Sequence, residues 1–302
     1  MDGVAVRAAD LVKSYGRARG LAGLDLEVRR GEVFGFVGPN GAGKTTTIRL
    51  MLDLLRPTSG ELTVLGETPR RGGPGLRRRV GYLAGDFVVD GRQSGAELLS
   101  HLGQLRGGVP AARITELAER LDLDLDRRIR GLSKGNRQKL GVIQAFMHAP
   151  ELLILDEPTS GLDPLLQQEF VAMVREARDS GQTVFMSSHV LSEVQRTCDR
   201  VGFVREGRTV GVEPVEALRE RAVRRVEVQF EDPVTAEQFA GLPGVTDVVV
   251  DGGLLRCRLQ GSADALLKAA ARHTAVTVLA EESDLEELFL TYYQQPGGPD
   301  GA

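Results

Sequence analysis

The sequence predicts an α/β domain built on a mostly parallel sheet, followed by a smaller α+β domain. Between residues 32 and 211, short apolar runs alternate with stretches of helical periodicity, which is typical of a parallel sheet covered by helices. Beyond Pro214, apolar residues alternate with charged ones, as they do in half-buried strands. These patterns predict a first domain over residues 1–213 and a second over residues 214–295, with a flexible tail at 296–302.

Strong local signals define the elements of the first domain. A helix is predicted over residues 164–178, because Asp163 is a good N-cap followed by proline and Gly181 ends the periodic stretch. Ser94 and Glu97 stand at capping-box spacing, which predicts a helical subdomain over about residues 94–147. The strands of the sheet are predicted at four apolar runs: Val33–Val37, Leu152–Leu155, Thr183–Met186 and Val201–Val204.

The second domain is predicted to follow the β-α-β-β-α-β order of the ferredoxin-like pattern. Asp251 and Gly252 supply a hairpin turn between two strands. A closing helix is predicted at Leu285–Tyr293, and the Gly/Pro-rich end at Pro296–Ala302 is expected to be frayed. Its other elements are predicted at Val226–Phe230, Thr235–Leu242, Leu255–Leu259, Ala263–Arg272 and Val276–Leu279.

Composition argues against several classes of protein. The formal charge of −4 provides no basic field that favours nucleic acid as a partner, and no apolar run approaches the roughly 18 residues of a membrane-spanning helix. Residues 1–10 lack the basic and then apolar regions of a secretory signal. Cys198 and Cys257 are interpreted as buried thiols, since neither has His or Cys at metal-ligand spacing. We therefore expect a protein of the reducing cytosol.

A glycine-rich loop follows the strand at Val33–Val37 and precedes a helix, which is the setting of a P-loop. Glycines let the backbone aim N–H groups at phosphates, and the helix N-terminus adds about half a positive charge. We expect Lys44 to contact the β- and γ-phosphates of a nucleoside triphosphate and the Thr45 hydroxyl to bind Mg²⁺. The alternative is an ordinary glycine-rich turn. The expected nucleotide-binding residues of this loop are Gly38, Pro39, Asn40, Gly41, Ala42, Gly43, Lys44, Thr45 and Thr46.

Two further strands end in polar side chains at the same predicted sheet edge. The strand at Leu152–Leu155 runs into Asp156 and Glu157, of which Asp156 is expected to hold Mg²⁺ and Glu157 to orient or deprotonate an attacking water. The next strand ends at His189, where an imidazole can sense a γ-phosphate. A single histidine is often structural, but its place at the end of a parallel strand favours the catalytic interpretation.

Together with these elements, the segment Leu132–Gln138 (LSKGNRQ) resembles the LSGGQ signature of ABC ATPases, and it precedes the acidic strand as in that family. Tyr15 resembles the family's adenine-stacking aromatic, and Ser160–Asp163 resembles its D-loop. The resemblance covers about residues 4–211, and the tail from residue 214 is similar to the accessory domain of drug-export-type ABC ATPases. It implies the P-loop NTPase fold, ATP and Mg²⁺ as cofactors, and hydrolysis of ATP.

The resemblance also implies a homodimer. A Ser-x-Gly segment that opens a helix is an anion-binding site without its own P-loop, although taken alone it is equally an ordinary N-capped helix. In the family, two head-to-tail subunits enclose two ATP molecules. Ser133 and Gly135 of one copy would thus contact ATP that is held by the P-loop of the other, and Asp163 of the D-loop is also expected to bind ATP.

Two departures from the family pattern affect these expectations. Lys134 stands where the signature has its first glycine, and it either strengthens the grip on phosphate or points to solvent. Gly85 stands where the Q-loop glutamine is usual, and a glycine has no side chain with which to bind magnesium. We expect the neighbouring Asp86 to supply an oxygen to the metal instead.

The function that the resemblance implies is ATP hydrolysis that powers export of a substrate by a separate integral membrane permease. The chain would then be cytoplasmic and peripheral on the inner face of the plasma membrane. The alternative is a soluble ABC ATPase that acts on the ribosome or nucleic acid. Relatives of that kind carry two cassettes or long coiled coils, which argues against this alternative. A binding-only subunit is a third class, against which the intact Lys44, Asp156, Glu157 and His189 argue. Five arginines before the Q-loop region form either a solvated surface or a contact with the membrane partner or lipid headgroups: Arg70, Arg71, Arg77, Arg78 and Arg79.

Overall fold

A computed structural model of the chain describes residues 3–16, 18–89, 91–221 and 223–281. The chain divides into two compact units, Met1–Val212 and a second that begins at Glu213. The predicted closing helix at Leu285–Tyr293 and the predicted frayed end at Pro296–Ala302 lie outside the described residues.

A six-stranded sheet forms the centre of the first unit, and its strands follow the order β5-β6-β7-β3-β8-β9. All pairs from β5 to β8 are parallel, and β3, β6 and β7 consist entirely of buried residues, as expected for a sheet covered on both faces. The four strands predicted from apolar runs are confirmed. The strands are β3 (Val33–Val37), β5 (Val80–Leu83), β6 (Leu152–Asp156), β7 (Thr183–Ser188), β8 (Arg200–Arg205) and β9 (Arg208–Pro214).

Helices connect and cover these strands, and the predicted helix starts are confirmed. Asp163 caps its helix by accepting the N–H groups of Leu165 and Leu166, and Ser94 and Glu97 form a capping box. Among the described residues, no helix combines the length and the apolarity needed to cross a bilayer. The helices are α1 (Lys44–Met51), α2 (Pro69–Arg78), α3 (Gly95–Leu105), α4 (Ala111–Arg120), α5 (Lys134–Phe146), α6 (Pro164–Asp179) and α7 (Leu191–Thr197).

A second, antiparallel sheet in this unit was not predicted from the sequence. Its order is β2-β1-β4, with β1 (Val4–Tyr15), β2 (Ala18–Arg29) and β4 (Ser59–Val64). The pairing of β1 with β2 shifts register at four places. Each shift moves later side chains relative to the two faces, so the simple alternation that marks a strand in sequence is broken.

The second unit holds a four-stranded antiparallel sheet in the order β11-β12-β10-β13. The predicted helix at Thr235–Leu242 is wrong: only a 3₁₀ turn, Ala236–Gln238, forms. Gly241, within the predicted range, has a positive φ of 79°, which a right-handed helix does not allow. The hairpin turn is formed by Gly252 and Gly253, one residue later than predicted. The elements are α8 (Val215–Arg221), β10 (Val223–Phe230), β11 (Val245–Asp251), β12 (Leu254–Gln260), α9 (Asp264–Ala270) and β13 (Ala275–Glu281).

Both cysteines are buried, as predicted. Burial raises the pKa of the Cys198 thiol well above its usual value, and it also raises the pKa of the Cys257 thiol. Because the thiolate is the reactive form and a raised pKa disfavours it, both thiols are unreactive parts of the core.

Candidate functional site

The predicted P-loop lies between β3 and α1, where close packing requires glycine at two positions. A Cβ at Gly38 would lie 2.5 Å from the carbonyl oxygen of Val204. Gly43 has a φ of 114°, and a Cβ there would lie 2.7 Å from a methyl carbon of Leu21. Glycine at these two positions therefore allows the tight curve of the loop, in which backbone N–H groups can bind phosphate.

Lys44, the first residue of α1, is buried with 6% of its surface exposed. Its Nζ donates to the carbonyl oxygens of Gly38, at 2.6 Å, and Pro39, at 3.3 Å. Burial lowers the pKa of Lys44, while the nearby Glu157 and Asp156 oppose that change. The ammonium group thus faces loop carbonyls and two acidic neighbours, which is a position from which it can turn to an incoming anion.

A cavity of about 280 Å³ adjoins the loop. Tyr15, the predicted adenine-stacking residue, lies on its wall and is 44% exposed, and Lys13 Nζ lies 5.4 Å from the centre of the Tyr15 ring. The sequence analysis did not predict a role for Gly20. A Cβ at this position would lie 2.7 Å from a ring carbon of Tyr15, so the Tyr15 ring packs directly against Gly20. The lining residues are Tyr15, Gly20, Asn40, Gly41, Gly43, Lys44, Thr45, Thr46 and Glu157. Gly38, Pro39 and Ala42 belong to the loop but do not line the cavity.

Asp156 ends β6 and is buried, with 5% of its surface exposed. The Thr45 hydroxyl donates to its Oδ2 at 3.2 Å, and the Ser187 hydroxyl donates to its Oδ1. The structure thus brings together Thr45 and Asp156, the two side chains expected to hold magnesium. Ser187 was not predicted as part of the site, because a serine inside a buried strand has no distinguishing sequence pattern.

Glu157 and His189 form a pair at the ends of neighbouring strands. Nδ1 of His189 lies 3.2 Å from Oε1 of Glu157, and both side chains reach solvent. Glu157 adopts a positive φ of 47°, and its N–H donates to the carbonyl oxygen of Ser187 at 3.1 Å. The sheet order places β7 between β6 and β3, so that His189 lies at the same edge as the acidic residues and the P-loop.

The expected ATP-binding residues of the signature segment and the D-loop form a separate group. Ser133 caps α5 by accepting the N–H of Asn136 at 3.2 Å, and it is exposed. Gly135 lies against the D-loop, since a Cβ there would be 3.1 Å from the carbonyl oxygen of Gly161. Asp163 uses Oδ1 to cap α6. Ser133, Gly135 and Asp163 do not line the cavity at their own P-loop.

The helix of the signature segment is nevertheless joined to the acidic loop. Gln138 is buried, and its Nε2 donates to the carbonyl oxygen of Pro158 at 3.0 Å. Pro158 follows Glu157 directly, so α5 and the proposed catalytic carboxylate share a connection. Sequence reasoning assigned no role to Gln138. Lys134, at the start of α5, is exposed.

Position 85 lies directly beside Asp156. A Cβ at Gly85 would be 3.1 Å from the carbonyl oxygen of Asp156 and 3.6 Å from its Cγ. Asp86 is exposed and is not among the residues that line the cavity. A role for Asp86 at a magnesium ion therefore stays a prediction.

Comparison with known proteins finds ABC transporter ATP-binding proteins among the matches. Residues 21–160 match the family described as ABC transporter. The bacitracin transport ATP-binding protein BcrA of Bacillus licheniformis is 35% identical over 230 residues, which cover 75% of this chain and 75% of that protein. The Nod factor export ATP-binding protein I of Cupriavidus pinatubonensis is 33% identical over 284 residues, which cover 92% of this chain and 87% of that protein.

Solved structures show the same similarity in three dimensions. The structure of an ATP-binding subunit of an ABC transporter superposes with a TM-score of 0.66 at 28% identity. The match covers 71% of this chain and 91% of that chain.

Proposed function

This chain belongs to the family of ABC transporter ATP-binding proteins, and we propose that it hydrolyses ATP to power export through a separate membrane permease. The main support for the proposal is that Lys44 of the P-loop and the carboxylate residue Glu157 line the same cavity. Relatives named for bacitracin transport and Nod factor export favour transport over an action on the ribosome or nucleic acid.

The phosphates of ATP would be bound by the P-loop N–H groups and by Lys44, whose Nζ would exchange its loop carbonyls for phosphate oxygens. Thr45 and Asp156 supply a hydroxyl and a carboxylate oxygen, which are the hard donors that Mg²⁺ prefers alongside phosphate oxygens. These residues fit a magnesium ion, with Asp86 proposed as a further donor. When bound, the ion would neutralise charge on the phosphates.

Glu157 would orient or deprotonate the attacking water, a contribution of about 10²- to 10⁴-fold to the rate. His189 would hold the Glu157 carboxylate in place and sense the γ-phosphate. Support comes from the 3.2 Å separation of His189 Nδ1 and Glu157 Oε1 beside a strand end that carries Asp156. Tyr15 on the cavity wall would stack on the adenine ring.

We further propose that the working unit is a head-to-tail homodimer. Ser133 is exposed and opens α5, Gly135 lies next to the D-loop, and neither lines the cavity of its own P-loop. A helix N-terminus with an exposed hydroxyl suits the terminal phosphate of an ATP molecule that a second copy presents. Loss of that phosphate on hydrolysis would loosen the dimer, so that the nucleotide switches the dimer between two states.

The partner in the membrane is a permease that selects the cargo, and the chain would act at the inner face of the plasma membrane. Four arginines of α2 are exposed, and α2 contains no acidic residue. Such a basic surface suits acidic groups on a permease or anionic lipid headgroups. These arginines are Arg70, Arg71, Arg77 and Arg78; the neighbouring Arg79 instead pairs with Glu151 and Glu67.

For the second unit we propose a role in dimer contact or regulation. Every residue of β13 is exposed, including the large apolar side chains of Val276, Val278 and Leu279. Within the described sheet β13 has a neighbour on one side only, so its outer edge offers unpaired backbone groups.

Mixing two defective variants tests the composite site. Copies with Lys44→Ala keep Ser133, and copies with Ser133→Arg keep Lys44, so a mixed pair rebuilds one intact site from one half of each copy. We expect each variant alone to lack ATPase activity and the mixture to regain it. If mixed pairs demonstrably form and no activity returns, the composite site is excluded. A mixture of Lys44→Ala copies carrying two different affinity tags is the control.

A further inference from the structure

The carboxylate of Glu193, on α7, lies between the loop after β6 and the last residue of β7. Its Oε1 accepts a hydrogen bond from the hydroxyl of Thr159, and its Oε2 accepts one from the hydroxyl of Ser188 at 2.9 Å. The single hydroxyl proton of Ser188 has a second acceptor, the carbonyl oxygen of Val190 at 3.1 Å, but the charged carboxylate is nearer. One side chain thus joins two segments that are distant in sequence.

These two segments carry the Glu157–His189 pair. Thr159 stands two residues after Glu157, and Ser188 stands immediately before His189. Both hydroxyl residues are buried, with 6% of the surface of Thr159 and 2% of that of Ser188 exposed. Hydrogen bonds to a carboxylate in such a setting are stronger and more directional than those at the surface.

The loops need such support. Glu157 has a φ of 47°, a backbone conformation that is costly for a residue other than glycine and that persists only when its surroundings hold it. Glu193 is itself fixed, because the Thr197 hydroxyl donates to its carbonyl oxygen at 2.8 Å and the neighbouring Val194 is buried. Glu193 does not line the cavity beside the P-loop.

We propose that Glu193 is a positioning residue for ATP hydrolysis, which holds the Glu157 and His189 loops at the separation that lets the two side chains meet. It acts through Thr159 and Ser188 and has no contact with nucleotide. This inference rests on the proposed roles of Glu157 and His189. Small displacements of a catalytic group lower the rate by up to about 100-fold, so losing the hydrogen bonds of Glu193 should slow hydrolysis.

The experiment compares Glu193→Ala, Glu193→Gln and Thr159→Val in the full-length chain, measuring kcat, the Kd for ATP and the Tm. We expect Glu193→Ala to lower kcat by about 10- to 100-fold while Kd stays within about twofold. Glu193→Gln keeps one acceptor oxygen and should recover part of the loss. By itself, Thr159→Val should also lower kcat. In the double variant with Glu193→Ala it should cause no further loss, since both substitutions remove the same connection.

Glu32 provides the matched control, because its buried carboxylate also accepts hydrogen bonds from two donors, the N–H of Arg29 at 2.7 Å and Nη1 of Arg200, which lies 3.1 Å from one carboxylate oxygen and 3.3 Å from the other. Glu32→Gln should lower the Tm and leave kcat unchanged. The inference is overturned if Glu193→Ala has wild-type kcat, or if its loss is additive with that of Thr159→Val. If Glu157→Gln and His189→Ala hydrolyse ATP normally, the roles proposed for those two side chains fail, whereas a wild-type chain without ATPase activity would contradict the proposed function itself.

Discussion

The hydroxyl of Thr45 donates a hydrogen bond to Oδ2 of Asp156 over 3.2 Å, which joins the start of α1 to the end of β6. With Ser187 bonded to the other carboxylate oxygen, Asp156 is held in one orientation. Preorganised donors lose less entropy when they bind a cation. Position 85 is a glycine and supplies no side-chain oxygen to this site.

Asp86→Ala tests whether Asp86 supplies an oxygen to the metal in place of position 85. If Asp86 replaces the missing glutamine side chain, its loss should raise the Mg²⁺ concentration for half-maximal ATPase activity by roughly tenfold, the scale for loss of a supporting metal contact. Titration of Mg²⁺ at fixed ATP measures the effect, with Asp156→Asn as the positive control and the exposed Asp232→Ala as the negative one. An unchanged titration would remove Asp86 from the site.

Lys44→Ala should weaken ATP binding by at least about 100-fold, because it removes the full positive charge from the phosphate cradle. Lys44→Arg should not restore affinity. The site is buried, and the broad planar guanidinium cannot take the place of an ammonium that is 2.6 Å from the Gly38 carbonyl oxygen. Calorimetric titration with ATP checks both variants, and tight binding by either would contradict the assignment.

Glu157→Gln should bind ATP with nearly wild-type affinity and accumulate as a closed dimer, since the substitution removes only the group that activates water. We expect the hydrolysis rate to fall by about 10²- to 10⁴-fold. Light scattering after size-exclusion chromatography with ATP measures the dimer. The double variant Glu157→Gln with Lys44→Ala is the control and should stay monomeric. A monomeric Glu157→Gln at high protein and ATP concentrations would refute the dimer mechanism.

His148, just after α5, should make stability depend on pH. Burial, with a smaller effect from Arg106, lowers the pKa of His148 to about 4 from 6.5. The unfolded chain therefore takes up a proton near pH 6.5 and the folded chain only near pH 4, so stability present above pH 6.5 is lost as the pH falls. Because the residue as a whole is only half-buried, the loss is on the order of 2 kcal/mol. Denaturant unfolding of wild type and His148→Leu should diverge between these pH values.

Deleting residues 214–302 should weaken dimerisation or change ATP turnover, because it removes the exposed strand β13. A milder variant, Val278→Lys, places a charge on that strand and should act in the same direction. Analytical ultracentrifugation and transport assays with the permease measure the outcome. If assembly, turnover and transport all stay at wild-type values, the second unit has no such role.

The parts of the structure that follow local rules could be predicted from the sequence. Capping residues such as Asp163 and Ser94 mark helix starts because they satisfy backbone N–H groups near them in the chain. The contributions of Ser187 and Gly20 depend on what the fold brings beside them, Asp156 and Tyr15. No local sequence pattern indicates such contacts. The antiparallel sheet β2-β1-β4 was not predicted either, because the register shifts of β1 break the alternation of buried and exposed residues.

The sheet order has a consequence for synthesis. Within the described residues, β3 pairs with β7 and β8, which lie far downstream in the chain. At a translation rate of about 5–20 residues per second, β3 emerges on the order of ten seconds before either neighbour exists. Until Thr183–Ser188 has left the ribosome, the apolar residues Phe34 and Phe36 lack the strands that bury them, so a nascent chain stalled before that point should need chaperone protection.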